Sequence, residues 1–172
     1  MTNTIVLCGF MGSGKSNIGR RTAAKLGYEF IDMDGYIQKK YNKTISDIFR
    51  DSGEDAFRRM ETDAVRELAG RQKCVIAAGG GTVLRRENVE LFRQNDCRIV
   101  LLDVPLAALQ ERLKNDTRRP LLQVEDRRSV IADLYQKRLP LYREAADVVF
   151  YAGWPANYVA KLLAREVQEG RI

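Results

Sequence analysis

The stretch from Gly9 to Ser16, GFMGSGKS, fits the pattern G-x-x-x-x-G-K-[S/T] at every fixed position. It follows a short apolar, β-branched run, Thr4 to Cys8, and leads into a segment with helical apolar spacing, Ser16 to Lys25. In such a loop glycines turn backbone N–H groups toward a phosphate, the lysine contacts β and γ oxygens, and the serine hydroxyl can bind Mg²⁺. The helix start also favours an anion. The stretch therefore predicts a nucleotide-binding P-loop between a strand and a helix.

Length and charge limit what surrounds this loop. The chain has 172 residues and no low-complexity linker, so we expect one domain over 1–172. The early strand leaves little room for a signal peptide, and no apolar run approaches the roughly 20 residues of a membrane span, which predicts a cytoplasmic protein with no membrane partner. The net charge of +6 comes from 29 basic and 23 acidic residues. Because the arginines cluster near motifs, the charge indicates small anionic ligands and requires no nucleic acid.

The histidine and cysteine content excludes several kinds of site. The chain has no histidine, which rules out Ser-His-Asp triads and histidine-bound zinc. Its three cysteines, Cys8, Cys74 and Cys97, are predicted to be buried reduced thiols because two of them lie in or beside apolar strands. Any proton transfer must use other groups.

Carboxylates stand at the ends of two predicted strands. The strand Tyr28 to Asp32 is followed closely by Asp34, and the strand Arg98 to Asp103 ends in a carboxylate. Open α/β sheets bind ligands at this edge. Either Asp32 or Asp103 could support Mg²⁺, and the spacing leaves both open. Asp34 could orient a substrate hydroxyl, or it could only be the N-cap of a helix over Gly35 to Tyr41.

Two further motifs have both a structural and a functional interpretation. Arg58 and Glu61 are three residues apart in a helix predicted over Asp55 to Leu68, hence on one face. They could form a solvated ion pair, or Glu61 could hold the Arg58 fork for a substrate carboxylate. A strand predicted over Lys73 to Ala78 leads into Gly79 to Gly81. This glycine run could expose N–H groups to a ligand, or be a plain loop.

The C-terminal half continues the alternation of helices and strands. The proline-broken polar stretch 115–126 is predicted to be a mobile lid. Pro140 should kink the helix that follows this stretch, predicted over 127–145. The other predicted elements are a helix to 114, a strand over 147–151 and a helix over 156–167. Strands that alternate with helices predict a parallel α/β sandwich.

Together, these motifs resemble the shikimate kinase family in order and spacing over nearly the whole chain. The residues that carry the resemblance are the P-loop, Asp32 and Asp34, the Phe57-Arg58-x-x-Glu61 helix, the Gly79 to Gly81 run, Arg119-Pro120-Leu121, and Arg138-x-Pro140-x-Tyr142. The resemblance implies a three-layer α/β/α P-loop NTPase fold, with a five-stranded parallel sheet of order 2-3-1-4-5 and helices on both faces. It implies ATP-dependent phosphorylation of the 3-hydroxyl of shikimate, in the chorismate and aromatic amino acid pathway, by a monomer. A gluconate kinase of similar fold and a non-catalytic nucleotide switch are the alternatives.

The resemblance also implies roles for individual residues. The catalytic residues would be Lys15, Asp34 and Arg119. The shikimate-binding residues would be Asp34, Arg58, Glu61, Gly79, Gly80, Gly81 and Arg138, and the helical region 34–62 would bind substrate. The nucleotide-binding residues would be Gly12, Ser13, Gly14, Lys15, Ser16, Asn17, Arg112, Arg119, Trp154 and Pro155. Ser16 and, through water, Asp32 would hold Mg²⁺, which favours Asp32 over Asp103. The Gly153-Trp154-Pro155 loop departs from the arginine or asparagine common in relatives.

Overall fold

The structure is a computed structural model that describes residues 4–117 and 122–172. Its strands within these ranges are β1 (Thr4–Cys8), β2 (Glu29–Asp32), β3 (Cys74–Ala77), β4 (Arg98–Asp103) and β5 (Val148–Tyr151). Its helices are α1 (Lys15–Leu26), α2 (Met33–Tyr41), α3 (Ile45–Ala69), α4 (Arg86–Gln94), α5 (Leu106–Leu113), α6 (Arg127–Ala145) and α7 (Ala156–Gln168). A short 3₁₀ turn, Thr82–Leu84, precedes α4.

The strands form one parallel sheet in the order β2-β3-β1-β4-β5. The central strand β1 pairs on both sides, so that Val6 lies between Ile76 of β3 and Ile99 of β4. Every residue of β1 and β3 is buried, as expected for apolar strands covered on both faces. The predicted five-stranded parallel sheet of order 2-3-1-4-5 is therefore confirmed. All its carboxyl ends meet at one edge.

Helices complete a three-layer α/β/α arrangement. Helices α1 and α7 pack against each other, and α1 also contacts β1, β2 and β3. Helices α3 and α4 pack together, and α4 and α6 both contact β4. The apolar side chains between these layers form a continuous buried core. The predicted fold class is thus confirmed.

Two helix starts show how local sequence sets the geometry. Helix α2 follows β2 without a linker, and its N-cap is Asp32, whose carboxylate accepts from the Gly35 N–H at 3.3 Å. The N-cap interpretation of Asp34 was wrong, because the last residue of the strand takes that position and Asp34 lies in the first helical turn. Helix α3 starts at the Thr44 cap and changes direction at Gly53, where φ is 79° and ψ is 173°. This change of direction lies just before the helix predicted over Asp55 to Leu68.

The bounds of the remaining elements agree with the bounds predicted from the sequence within one or two residues. Helix α6 begins and ends at the predicted residues and continues through Pro140. All three cysteines are buried free thiols, as predicted. Among the described residues, no helix has both the length and the apolar character needed to cross a membrane.

Candidate active site

The P-loop has the predicted strand–loop–helix form. Gly9 has a φ of 143°, and a Cβ there would lie 2.9 Å from the Leu102 carbonyl oxygen, so another residue type would be both strained and crowded. Helix α1 begins at Lys15 with Gly14 as its N-cap, and no side chain in the described part of the chain caps its first N–H groups. These N–H groups, together with the helix dipole, are suited to an anion. The Lys15 ammonium donates to the carbonyl oxygens of Gly9 at 2.8 Å and Phe10 at 3.1 Å.

Ser16 and Asp32 meet beside this loop. The Ser16 hydroxyl donates to Asp32 Oδ2 at 2.5 Å, whereas Asp103 accepts from Arg143 Nη2 at 3.4 Å. No group of three or more His, Cys, Asp or Glu side chains capable of holding a metal occurs in the described part of the chain. A hydroxyl beside one carboxylate fits Mg²⁺, which takes oxygen ligands and is commonly bound by few protein groups together with substrate phosphates. Of the two carboxylates that the sequence left open, Asp32 is the one that accepts a hydrogen bond from the P-loop serine.

Asp34 is a solvent-accessible residue whose carboxyl group lies among other acids. Partial desolvation of the carboxyl group raises its pKa above the ordinary aspartate value, and the nearby negative charges of Asp32 and Glu61 raise it further. Lys15 and Arg58 act in the opposite direction. The carboxyl group is therefore more basic than a surface aspartate. That property suits a group that accepts a proton from a hydroxyl.

Glu61 and Arg58 form an ion pair in which the Glu61 carboxylate is shielded from water. The Glu61 side chain is 1% exposed, and its Oε2 accepts from Arg58 Nη1 at 2.6 Å. On its other edge, Arg58 donates from Nη2 to Glu54 Oε1 at 3.0 Å and from Nε to the same oxygen at 3.3 Å. The solvated-pair interpretation was wrong for Glu61, because α3 turns this face toward the glycine run and away from water.

The glycine run Gly79 to Gly81 makes room for these side chains. A Cβ at Gly79 would lie 2.7 Å from Glu61 Oε1 and 3.1 Å from Asp34 Oδ1, and a Cβ at Gly81 would overlap the Arg58 guanidinium. Gly80 alone faces open space. At two of the three positions, a larger residue would displace an acidic or basic side chain from its present place.

Arg58 and Arg138 meet across a cavity of about 430 Å³, although 80 positions separate them in the chain. The other lining residues are Glu54, Asp55, Arg59, Gly81, Leu84 and Arg85. One turn beyond Arg138, the buried Tyr142 hydroxyl donates to the Gly80 carbonyl oxygen at 2.5 Å. Burial raises the pKa of Tyr142 to about 12, so the phenol keeps its proton at neutral pH. Helix α6 thereby places Arg138 at the cavity and, through Tyr142, is hydrogen-bonded to the glycine run.

A second cavity of about 440 Å³ borders the P-loop. It is lined by the predicted nucleotide-binding residues Gly12, Ser13, Gly14, Asn17, Arg112, Trp154 and Pro155, together with Ile18, Ala152, Gly153 and Ala156. Arg112 Nη1 donates to the Gly12 carbonyl oxygen at 3.0 Å. The Trp154 ring packs edge-to-face between Tyr151 and Tyr158, with centroids 5.0 Å and 5.3 Å away. Its side chain is still partly exposed at the cavity wall.

Arg119, the third predicted catalytic residue, lies outside the described residues, as does the rest of the Arg119-Pro120-Leu121 motif. The Arg127 side chain contacts the described residues on both sides of this motif. Arg127 donates to the carbonyl oxygens of Leu113 and Lys114 at 3.2 and 2.7 Å, and to that of Leu122 at 2.8 Å. The ends of the 115–126 stretch are therefore held close together. Its motion as a lid stays a prediction.

Two residues that sequence reasoning did not assign lie in this site. Tyr142 could have been suspected, because it is four positions after Arg138 and thus on the same helix face. Thr82, which donates from its hydroxyl to Glu61 Oε1 at 2.9 Å, gave no signal, because this contact spans 21 positions and depends on how α3 is packed.

Comparisons with known proteins agree with this geometry. The family model described as shikimate kinase matches residues 11–167. The chain is 41% identical over 164 residues to a shikimate kinase from Thermodesulfovibrio yellowstonii, an alignment that covers 95% of this chain and 94% of the relative. It is also similar to the solved structure of a shikimate kinase from Acinetobacter baumannii in complex with shikimate. That similarity has a TM-score of 0.91 and 36% identity, and covers 100% of this chain and 96% of the other.

A more distant likeness shows only the fold. The structure of a gluconokinase from Sinorhizobium meliloti has a TM-score of 0.54 and 20% identity, with 99% of this chain and 98% of that chain covered. The family model and the relative from Thermodesulfovibrio yellowstonii are both described as shikimate kinase and not as gluconokinase. Since the shikimate kinase pattern covers the chain from the P-loop to the last helix, this protein belongs to the shikimate kinase family.

Proposed function

We propose that this protein transfers the γ-phosphoryl group of ATP to the 3-hydroxyl of shikimate, giving shikimate 3-phosphate and ADP. The observation that carries the proposal is the placement of Asp34. Its carboxyl group interacts electrostatically with Lys15 of the P-loop and with Arg58 at the arginine-lined cavity. A hydroxyl acceptor bound beside Asp34 would therefore stand between a phosphate site and a carboxylate site.

On the nucleotide side, the P-loop N–H groups and Lys15 would hold the phosphates, with the base in the cavity bordered by Arg112 and Trp154. Lys15 now donates to two loop carbonyls, which β- and γ-phosphate oxygens would replace as partners. Arg119 would add positive charge to the transferred group, as the family resemblance implies. Together these groups would position the phosphoryl group and stabilise its charge.

On the acceptor side, Arg58 and Arg138 would bind the shikimate carboxylate. A guanidinium offers two parallel N–H donors to a carboxylate, a geometry that an ammonium cannot supply. Glu61 fixes one edge of Arg58, which leaves the edge now bonded to Glu54 for the substrate. The carboxylate would thus hold the ring in one orientation, with a hydroxyl directed toward Asp34.

The chemistry follows from this placement. The oxygen of the 3-hydroxyl forms a bond to the γ-phosphorus while the bond from that phosphorus to the β–γ bridging oxygen breaks, and ADP leaves. The hydroxyl proton passes to Asp34, whose raised pKa makes it a better acceptor than an ordinary aspartate. Ser16 and Asp32 would hold Mg²⁺, which would supply positive charge to neutralise the β and γ oxygens. Most of the catalysis is positioning and electrostatics.

We further propose that the protein is one domain over 1–172 that acts as a cytoplasmic monomer without nucleic-acid or membrane partners. The continuous core supports a single folding unit. The charge of +6 is consistent with two anionic substrates, because at least four arginines line the acceptor cavity alone.

A coupled ADP-release assay tests the activity. Shikimate, gluconate and nucleoside monophosphates are compared as acceptors with MgATP, and kcat/KM for shikimate is expected to exceed the others by several orders of magnitude. Turnover with gluconate in preference to shikimate would support the rival kinase. Binding of nucleotide without acceptor-dependent ADP release would support a switch and contradict the proposal.

A further inference from the structure

The site contains a buried carboxylate whose orientation depends on one neutral hydroxyl. Glu61 is 1% exposed, and a charge so far from water is tolerated only when its oxygens are hydrogen-bonded. Arg58 Nη1 bonds Oε2 at 2.6 Å. Within residues 4–117 and 122–172, Thr82 is the one hydrogen-bond donor to Oε1, at 2.9 Å. The two bonds together fix the plane of the carboxylate.

Thr82 is itself held from several directions. Its side chain is fully buried, and its N–H donates to the Gly79 carbonyl oxygen at 3.1 Å. Its carbonyl oxygen accepts from Asn88 Nδ2 of α4 at 2.9 Å, and Asn88 is also fully buried. A Cβ at Gly79 would lie 3.0 Å from the Thr82 hydroxyl oxygen, so a glycine there keeps the space around this hydroxyl open. These contacts fix the position of the Thr82 hydroxyl that donates to Glu61.

We propose that Thr82 is a positioning residue that acts through Glu61 on the carboxylate-binding arginine, Arg58. The proposal rests on the proposed function, since it assigns Arg58 to the shikimate carboxylate. With the hydroxyl present, Glu61 pins Nη1 and leaves Nε and Nη2 of Arg58 for the substrate. Without it, Oε1 lacks a donor, the carboxylate rotates toward the remaining donors, and the Arg58 fork loses its fixed orientation.

The main test compares Thr82→Val with Thr82→Ser. Valine keeps the shape and removes the hydroxyl, whereas serine keeps the donor. Thr82→Val should raise the KM for shikimate about tenfold, the scale of one buried hydrogen bond to a charged group, and leave the KM for ATP within about twofold. Thr82→Ser should restore the shikimate KM to near the wild-type value. Thr82→Ala is a second hydroxyl-free variant should the valine variant fold poorly.

Two controls separate positioning from loss of stability. Thr4→Val removes another buried threonine hydroxyl, one that donates to the Arg71 carbonyl oxygen at the far end of β1. It should lower the melting temperature without altering the ratio of the two KM values. A neutral carboxamide analogue of shikimate gives the second control. Wild type and Thr82→Val should bind this analogue nearly equally in calorimetry, because it lacks the charge that the Arg58 fork recognises.

The failures of the two proposals are distinguishable. Absence of shikimate-dependent ADP release by the wild type would overturn the proposed function. With wild-type turnover present, an unchanged ratio of shikimate KM to ATP KM in the folded hydroxyl-free variants would overturn the role of Thr82 alone. So would a serine variant as impaired as the valine variant, or an equal loss of affinity for shikimate and its carboxamide.

Discussion

Asp34 shows how one residue can serve activity at the expense of stability. Its raised pKa means that the folded state binds a proton more tightly than the unfolded chain does. The free energy of unfolding therefore falls as the pH rises from the ordinary aspartate pKa through the raised folded pKa. Above that window, the folded protein bears the full cost of holding a partly desolvated carboxylate near the charges of Asp32 and Glu61.

Asp34→Asn should consequently be more stable than the wild type at pH 7 but much less active. Removing the acid–base group should lower kcat roughly 10²-fold or more, with the KM for ATP nearly unchanged. The melting-temperature difference should shrink as the pH falls below the ordinary aspartate pKa, where the wild-type carboxyl is protonated in both states. Thermal melts from pH 3.5 to 8 and steady-state kinetics measure both effects. An unchanged kcat would argue against the catalytic role, and a less stable variant at pH 7 would contradict the argument from the raised pKa of Asp34.

Trp154 offers a spectroscopic test of the nucleotide cavity. It is the single tryptophan, it lines that cavity, and its side chain is partly exposed. Adenine entering between Arg112 and Trp154 would exclude water from the indole. Titration with MgADP should therefore change the emission, Trp154→Phe should abolish the change, and Tyr158→Phe should retain it as the matched control. Shikimate alone should have a smaller effect. Unaltered emission at a MgADP concentration shown by calorimetry to saturate the protein would place Trp154 outside the base site.

At the scale of elements, apolar strands alternating with helices predict the sheet directly from the sequence. The strand order could not be predicted in the same way, because spacing along the chain does not specify which parallel strands pair. The order 2-3-1-4-5 came from the family resemblance. The N-cap of α2 was misplaced because β2 runs directly into it, so the capping carboxylate belongs to the strand. Contacts such as Thr82 with Glu61 depend on the packing of α3 against the glycine run, which no local pattern encodes.

The bend of α3 is an element-scale feature with a testable cost. Gly53 has φ 79° and ψ 173°, a conformation open essentially only to glycine, and no atom of residues 4–117 or 122–172 lies within 4 Å of a Cβ placed there. Gly53→Ala should therefore lose about 1–3 kcal/mol from backbone strain alone, measured by urea denaturation. Because the second part of α3 carries Arg58 and Glu61, the shikimate KM should also rise.

Gly27→Ala provides the comparison for Gly53. Gly27 has φ 68° in the left-handed region, also with open space around it, but it ends α1 away from the arginine-lined cavity. Alanine there should cost about 1–2 kcal/mol without changing the shikimate KM. If Gly53→Ala were no less stable than the wild type, or if both variants altered the KM equally, the bend would not be what positions Arg58.

At the scale of the whole molecule, the parallel sheet gathers residues from distant parts of the chain at one edge. The P-loop follows β1, Asp32 ends β2, the glycine run follows β3, and the Trp154 loop follows β5. Helices α3 and α6 then bring Arg58 and Arg138 to the acceptor side. Since every site component is attached to the same sheet and core, we expect the two cavities to unfold together.

This expectation predicts one cooperative transition. Melting followed by Trp154 emission, which reports the nucleotide side, should coincide with melting followed by far-ultraviolet circular dichroism, which reports all helices. Shikimate at 100 times its Kd should stabilise the fold by about 2.7 kcal/mol and raise both midpoints equally, by roughly 5–10 °C for a chain of this size. The acceptor would thus protect a tryptophan that lines the other cavity. Midpoints independent of protein concentration would agree with a monomer. A Trp154 transition that stayed in place while the dichroism midpoint rose would show that the nucleotide side unfolds separately, and would contradict a single domain.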